Sequence, residues 1–206
     1  MNETKGLEIP LTEEKESKGI SESSLTIQIA GAAIFGALSI VISFIAAFLP
    51  RYMGFAYFDP VSIIWMVCFL IFGPIAGILC SIIGMVGLMF FDPFAPIGPL
   101  MKLAATLPMI IVPTLLLKLY KRKKNGSEKL KDVKNFTKTG IAAIIVRLIV
   151  MIPINIIVYL LLYSAEGLMF WIIFAIIFNV LQGIWDLLIP YLLVYTTKLD
   201  EKFDIW

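Results

Sequence analysis

Residues Val61 to Phe91 read VSIIWMVCFLIFGPIAGILCSIIGMVGLMFF, and the division of this stretch decides the fold. As one helix with a rise of about 1.5 Å per residue it would be roughly 46 Å long, whereas the hydrocarbon core of a bilayer is about 30 Å thick. Pro74 has no amide hydrogen and clashes with the preceding turn, so a helix is expected to break there. The sequence therefore predicts two short helices, Val61–Phe72 and Ile75–Phe91, joined at Gly73-Pro74.

Four further apolar stretches flank this pair, and each is long enough to cross a membrane. They are Leu25–Leu49, Ile97–Leu119, Gly140–Tyr163 and Leu168–Val194. The chain has 206 residues, of which 60% are hydrophobic and 16% charged, so it has room for one bundle and no separate soluble domain. The prediction is an all-α, polytopic membrane protein with a six-transmembrane-helix bundle.

Basic residues predict the orientation of this bundle. Lysines occur in the N-terminal tail, Lys198 and Lys202 follow the last span, and the loop 121–138 is rich in lysine. If the short pair makes two spans, all of these lie on one side, and the opposite loops hold only Arg51. Positive charge accumulates in cytoplasmic loops, so both termini are predicted to be cytoplasmic in a multi-pass protein of the cell membrane.

Three regions follow from this reading. Residues 1–24 are polar and mixed in charge, which predicts a disordered cytoplasmic tail without the pattern of a cleaved signal peptide. Residues 25–197 form the membrane domain in contact with the lipid bilayer, and 198–206 form a cytoplasmic tail. The net charge of +2 reflects topology, and no nucleic-acid partner is predicted.

Several residue types that enzymes use are missing from the sequence. There is no histidine, which removes the commonest metal ligand and the usual general base. No phosphate-binding glycine loop or serine-nucleophile signature occurs. Cys68 and Cys80 both lie within spans and are expected to be small core residues. We therefore predict no catalytic residues, no metal site, no cofactor and no enzymatic activity.

Polar side chains inside the spans are the candidates for function, because each is costly without a partner or a purpose. Asn179, Gln182 and Asp186 recur at three- and four-residue spacing, so they share one face of the last helix. Asn155 and Lys102 lie towards the outer ends of their helices. Two interpretations stay open for Asn179 and Gln182: hydrogen bonds between helices, or the polar lining of a ligand pocket that opens outwards.

Arg147 and Asp186 are predicted to pair. Each lies about eight or nine residues from the cytoplasmic end of its helix, so at about 1.5 Å per residue their depths agree within one turn. A structural ion pair is the preferred interpretation, and ligand binding is the alternative.

The first outer loop, PRYMGFAYFDP over residues 50–60, has more aromatic residues than a connector requires. One interpretation is an aromatic belt at the membrane interface. The other is a lid, in which rings such as Tyr57 cover an apolar ligand while Asp59 or Arg51 supplies polarity. On the first helix, Ala33 and Ala37 belong to a stripe of small residues that would let another helix approach closely.

Taken together, these segments resemble the substrate-binding S component of an energy-coupling factor (ECF) vitamin transporter. The resemblance extends from Ile27 to about Tyr195. It is based on AIFGAL (33–38), YFDPVSII (57–64), FGPIAGIL (72–79), PIGP (96–99), IPIN (152–155) and FNVLQG (178–183).

The resemblance implies a protein that captures a vitamin-like small molecule from outside and delivers it through a transmembrane T subunit and two ATP-binding subunits. It implies that Ala33 and Ala37 contact the T subunit. The riboflavin-specific subfamily is the most similar: Asn179 matches its N-x-x-K-G stretch, but Gln182 stands where that stretch has lysine. The predicted substrate-binding residues are Asn179, Gln182, Asn155, Asp59, Tyr57 and Lys102.

An autonomous secondary carrier or small channel for an organic solute is the alternative function. It would move solute down a gradient without partners. Against it, the chain shows no convincing inverted repeat of paired broken helices.

Overall fold

The computed structural model describes residues 11–46, 48–52, 55–119, 126–163 and 166–203. Within these ranges the chain is helical apart from one short antiparallel ladder, in which Arg51 pairs with Ala56 and Tyr52 with Phe55. The elements are α1 Leu11–Ala46, β1 Arg51–Tyr52, β2 Phe55–Ala56, α2 Pro60–Phe72, α3 Pro74–Phe91, α4 Ile97–Leu119, α5 Gly126–Lys131, α6 Val133–Leu162, α7 Leu168–Thr196 and α8 Leu199–Phe203. The hairpin is a local addition to the predicted all-α architecture.

Five helices in the described ranges are long and apolar enough to cross a membrane. They are α1 from Leu25, α3, α4, α6 and α7. Helix α2 is apolar but has only 13 residues, which gives a length of about 20 Å, short of the roughly 30 Å hydrocarbon core. By length and composition, the structure therefore supports five spans and one shorter helix between them.

The predicted break between α2 and α3 is confirmed. Gly73 has a φ angle of 94°, a conformation that favours glycine because a Cβ atom is disfavoured there. Its N–H still donates to the carbonyl of Phe69 at 2.9 Å and closes the last turn of α2. Pro74 then occupies the first position of α3, where a missing amide hydrogen costs nothing.

Helix α2 is the core of the bundle. Every residue from Val61 to Phe72 except Ile64 is buried. A helix that is apolar on all sides needs apolar surroundings on all sides, from other helices or from lipid. Here α1 and α3 cover one side and α7 covers the other, with α4 contributing a smaller contact.

Glycines bring α1 and α3 close together. A Cβ atom on Gly36 would lie 2.7 Å from Ile83, and one on Gly87 would lie 2.1 Å from Ile40. Gly84 packs where α1, α2 and α3 meet, and a Cβ atom there would lie 2.5 Å from both Ser39 Oγ and Trp65 Nε1. Small residues permit such close approach of membrane helices.

The two ends of the bundle can be told apart by their contacts. The ring of Phe72, at the end of α2, packs against Phe35 of α1 at 5.7 Å and against Phe203 of α8 at 5.1 Å between centroids. The membrane part of α1 therefore starts at the end of the bundle where α7 finishes. We call this the α8 end, and the opposite end, where the β1–β2 ladder lies, the hairpin end.

Two polar segments at the α8 end contain helix. Helix α1 starts at Leu11, so residues 11–24 form its polar first part; extending an existing helix costs less than nucleating one. Residues 1–10 lie outside the described part of the chain. The basic loop 121–138 includes α5 and the start of α6, and Lys131 pairs with Asp200 and Glu201 of α8.

Candidate functional site

The first residues of α2 carry the polar site. Asp59 caps the helix: its Oδ1 accepts a hydrogen bond from the backbone N–H of Val61 at 3.2 Å. Both carboxylate oxygens also accept from Lys102 Nζ of α4, at 2.9 and 2.8 Å. Aspartate is a preferred capping residue because its oxygen replaces the missing partner of a first-turn N–H. Cap and ion pair together attach the start of α2 to α4.

Ser62 connects this pair to a second charged group. Its Oγ lies 3.0 Å from the backbone carbonyl of Asp59 and 2.6 Å from Asp186 Oδ1 of α7. Both side chains are buried. The hydroxyl therefore links the start of α2 to α7, in addition to the link to α4.

Arg147 of α6 lies on the far side of Asp186. Its Nη1 donates to Asp186 Oδ2 at 2.6 Å, and the two side chains are 3% and 2% exposed. Its other nitrogens reach the amide oxygens of the same helix face: Nε lies 3.4 Å from Asn179 Oδ1, and Nη2 lies 3.1 Å from Gln182 Oε1. The planar guanidinium of Arg147 thus donates hydrogen bonds to side chains on three successive turns of α7.

These contacts show that α2 begins inside the bundle. Asp186 is far from either end of α7, which runs from Leu168 to Thr196. Ser62, close to the start of α2, lies beside it, while Phe72 lies at the α8 end. Asp59 is the extended residue before α2. Non-helical backbone at membrane depth is tolerated only where protein surrounds it, and Asp59 is accordingly buried.

Aromatic rings cover the start of α2 on the hairpin side. Tyr57 packs edge-on against Phe178 of α7 at 5.1 Å, and Phe58 against Trp185 at 6.4 Å between ring centroids. Phe58 is partly buried whereas Tyr57 is 43% exposed. Edge-to-face pairs of this kind add roughly 0.5–1.5 kcal/mol beyond their buried area.

Asn155 lies on the same buried face of α6 as Arg147, two turns nearer the hairpin end. Its Nδ2 donates to the carbonyl of Met151 at 2.8 Å. Its Oδ1 is buried and has no hydrogen-bond partner among the described residues. A buried carbonyl oxygen without a partner is costly, so this atom is suited to accept a hydrogen bond from a bound molecule.

An open, apolar groove of about 450 Å³ lies on the surface between α4 and α6. Met101, Leu103 and Ile154 are part of its wall, whereas their sequence neighbours Lys102 and Asn155 are not. The volume is within the range of small-molecule sites, which are largely apolar with a few polar groups. The remaining lining residues are Ile97, Leu100, Ala104, Leu107 and Val158.

The structure brings most of the predicted site residues into one hydrogen-bonded network, in which they have different partners. Asp59 and Lys102 pair with each other, whereas Asn179 and Gln182 are hydrogen-bonded to Arg147, so the interhelical interpretation describes their present contacts. Asn155 stands apart from the network. Ser62 was missed, and its only signal was a hydroxyl near the start of an otherwise apolar helix.

The predicted partner stripe lies on the outer surface. Ala33 and Ala37 are exposed on the face of α1 that points away from α3, while Ala32 and Gly36 face the bundle. Cys68 and Cys80 are buried and free. The described residues contain no group of three or more side chains that could hold a metal ion.

The arrangement defines a helical membrane protein whose buried polar groups surround the start of a half-length helix. Residues 27–194 match the profile of a family described as ECF transporter, substrate-specific component. Because the match covers most of the chain, the protein belongs to that family, whose members bind substrates for transport and are not enzymes.

Comparison with solved structures supports the same fold. The chain is similar to the S component of a bacterial ECF transporter, with a TM-score of 0.64 and 23% sequence identity over 86% of this chain and 98% of that chain. No curated protein matches it.

Proposed function

We propose that this chain captures a vitamin-like small molecule from outside the cell and delivers it inwards with a transmembrane T subunit and two ATP-binding subunits. The observation that carries the proposal is the buried Oδ1 atom of Asn155, which has no hydrogen-bond partner among the described residues and can accept a hydrogen bond from a bound molecule. Family membership supports a substrate-binding role without catalysis. The lack of a nucleotide-binding motif in the sequence agrees with energy supplied by partners.

The topology we propose has six crossings and two cytoplasmic termini. Although α2 is short, it carries the chain from the hairpin end to the α8 end, so α1 and α3 run in the same direction. Lys131 of the basic loop lies against Glu201 at the α8 end. The positive-inside rule then assigns the α8 end to the cytoplasm and the hairpin end to the outside.

Different site residues take different roles in this proposal. Asn155 supplies a hydrogen-bond acceptor, Lys102 and Asp59 form the polar edge of the site, and Tyr57 covers it from the hairpin side. Asn179 and Gln182 act on the ligand through the position of Arg147, which both of them hold. Gln182 is neutral where the riboflavin-specific pattern has lysine, and Arg147 brings a cation to the same place from α6.

The surface for the T subunit is the Ala33–Ala37 stripe. Both alanines are exposed on a smooth helix face, while the glycines of α1 are used inside the bundle. A helix of a second protein can approach such a face closely and gain van der Waals contact in lipid.

A ligand screen tests the function. The full chain, purified in detergent, is heated with each water-soluble vitamin in turn, with riboflavin as the first candidate. A ligand at 100 times its Kd stabilises the folded state by about 2.7 kcal/mol, which shifts the unfolding temperature measurably. Stabilisation by none of them would reject vitamin capture.

Transport is tested in liposomes. Uptake is expected only when the T subunit, both ATP-binding subunits and ATP are present. Gradient-driven uptake by this chain alone would instead support an autonomous carrier.

A further inference from the structure

Two buried asparagines of the bundle make the same local hydrogen bond but differ at the side-chain oxygen. Asn155 of α6 is 1% exposed and Asn179 of α7 is 3% exposed. Each donates from Nδ2 to the backbone carbonyl four residues earlier, at 2.8 Å in both cases. Oδ1 of Asn179 also accepts a hydrogen bond from Nε of Arg147 at 3.4 Å, whereas Oδ1 of Asn155 is buried without a partner among the described residues. The comparison isolates one acceptor in the membrane core that the described part of the protein does not use.

The helix backbone fixes the direction in which the Asn155 amide points. Turning the amide over would place Oδ1 against the carbonyl oxygen of Met151, and two acceptors cannot form a hydrogen bond. The side chains one turn away on this buried face of α6 offer no donor either. Met151 has none, and the hydroxyl of Tyr159 donates to the carbonyl of Glu166 at 2.5 Å. The free position of Asn155 is therefore an acceptor.

This oxygen lowers the stability of the chain before any ligand binds. A buried carbonyl oxygen without a hydrogen bond keeps the full cost of leaving water, whereas an apolar group of the same shape has no such cost. Leucine branches at the same carbon as asparagine and has a higher helix propensity. Stability alone would therefore favour leucine at position 155, and a partner that arrives with the ligand explains the asparagine.

We infer that the ligand of this chain donates an N–H or O–H group to Oδ1 of Asn155, and that the chain keeps this acceptor at a cost in its own stability. A carboxylate or phosphate oxygen of a ligand would bring a second acceptor to the same point and is excluded from it. At a buried position an unmet acceptor is penalised most, so Asn155 selects between ligands by their donors. The inference rests on the proposed function and adds to it the polarity of one ligand group.

The first test measures stability without ligand. Asn155→Leu should leave the unfolding temperature of the ligand-free full chain unchanged or raise it, because it removes an acceptor that has no partner in the described structure. Asn179→Leu is the matched comparison: it removes the same amide and the same bond to the helix backbone, but it also deprives Arg147 of an acceptor and should lower the unfolding temperature. Asn135→Leu, at an exposed position of α6, corrects for the gain in helix propensity.

The second test measures binding. The probes are riboflavin and every other water-soluble vitamin that stabilises the wild-type chain, and their Kd values are obtained by equilibrium dialysis. Asn155→Leu should weaken binding by at least about tenfold, the equivalent of one lost hydrogen bond. Asn155→Asp separates a donating ligand from an accepting one, because the acid form of the carboxyl group can donate to the carbonyl of Met151 and still present an oxygen to the ligand. This variant should keep most of the affinity that Asn155→Leu loses.

The possible results separate the inference from the proposed function. A fall in the unfolding temperature of Asn155→Leu as large as that of Asn179→Leu would overturn the inference, because Oδ1 would then have a partner in the free chain. An unchanged Kd in Asn155→Leu, or equal losses in Asn155→Leu and Asn155→Asp, would also overturn it while leaving vitamin capture intact. Binding of no vitamin to the wild-type chain would instead reject the proposed function itself.

Discussion

Replacing Asp186 with leucine should destabilise the bundle by about 3–5 kcal/mol, because Arg147 would remain buried without a counterion. The two side chains are almost fully buried and lie 2.6 Å apart. Arginine keeps its charge under all conditions that a protein tolerates, so the variant cannot relieve the cost by losing a proton. Only the neutral oxygens of Asn179 and Gln182 would remain to solvate the guanidinium.

The reverse substitution should cost less. In Arg147→Met the carboxyl group of Asp186 keeps the hydrogen bond from Ser62 at 2.6 Å and can take up a proton, which removes the buried charge. We expect a loss of about 1.5–3 kcal/mol, the value of a lost hydrogen bond to a charged group. The double variant replaces the pair with apolar side chains, and should lie within about 2 kcal/mol of the wild-type stability.

Unfolding in mixed micelles measures these differences. The sequence contains four tryptophans, whose fluorescence follows unfolding as the fraction of sodium dodecyl sulfate is raised. Lys118→Met, at an exposed lysine, controls for loss of charge alone. A loss below about 1 kcal/mol in Asp186→Leu, or a double variant as unstable as the sum of both single ones, would refute the reasoning.

Three further predictions concern other parts of the fold. Gly84→Ala should destabilise the protein by about 1–3 kcal/mol in a thermal unfolding assay, because the new Cβ atom would lie 2.5 Å from Ser39 Oγ and Trp65 Nε1. Ile82→Ala, at an exposed position of the same helix, should cost less. Ala33→Trp should leave the unfolding temperature and ligand affinity unchanged but abolish uptake by the reconstituted complex; unfolding of the isolated chain would show that the stripe packs within its own bundle. The hydrogen bond from Lys131 lowers the pKa of Glu201 below its ordinary value of 4.5 and raises the pKa of Lys131 above 10.5. The docking of α8 should therefore be constant near neutral pH, weaken as the pH falls through the lowered pKa of Glu201, and weaken again as it rises through the raised pKa of Lys131. Hydrogen exchange of α8 amides should show both transitions, and Lys131→Gln should remove the pH dependence that arises from this pair; because both side chains are at the surface, the effect should be small.

The sequence predicted the helices closely because their limits depend on local chemistry. Hydropathy defines each apolar stretch, and Gly73-Pro74 marks the break between α2 and α3 without reference to any other helix. The depth match of Arg147 and Asp186 also needs only residue counts and the rise of a helix. The start of α1 at Leu11 is less accessible to such reasoning, because a short polar run does not show whether a neighbouring helix extends into it.

The contacts of the site could not be predicted in the same way. Residue spacing showed that Asn179, Gln182 and Asp186 share a face of α7, but not which helix that face meets. In the structure this face meets Arg147 of α6, so the side chains that were assigned to a ligand accept hydrogen bonds from the protein itself. The role of Ser62 could not be predicted for a similar reason, because it depends on α2 starting beside Asp186, deep in the bundle.

The short length of α2 has a consequence for the volume of the bundle. A helix about 10 Å shorter than the hydrocarbon core, with a diameter of about 10–12 Å, vacates on the order of 1,000 Å³ towards the hairpin end. Close-packed interiors do not leave such a space empty, and the rings of Tyr57 and Phe58 take part of it. The length of the loop before α2 then sets how much of this space stays open: deletions between residues 48 and 58 would enlarge it and insertions would reduce it, without changing any helix.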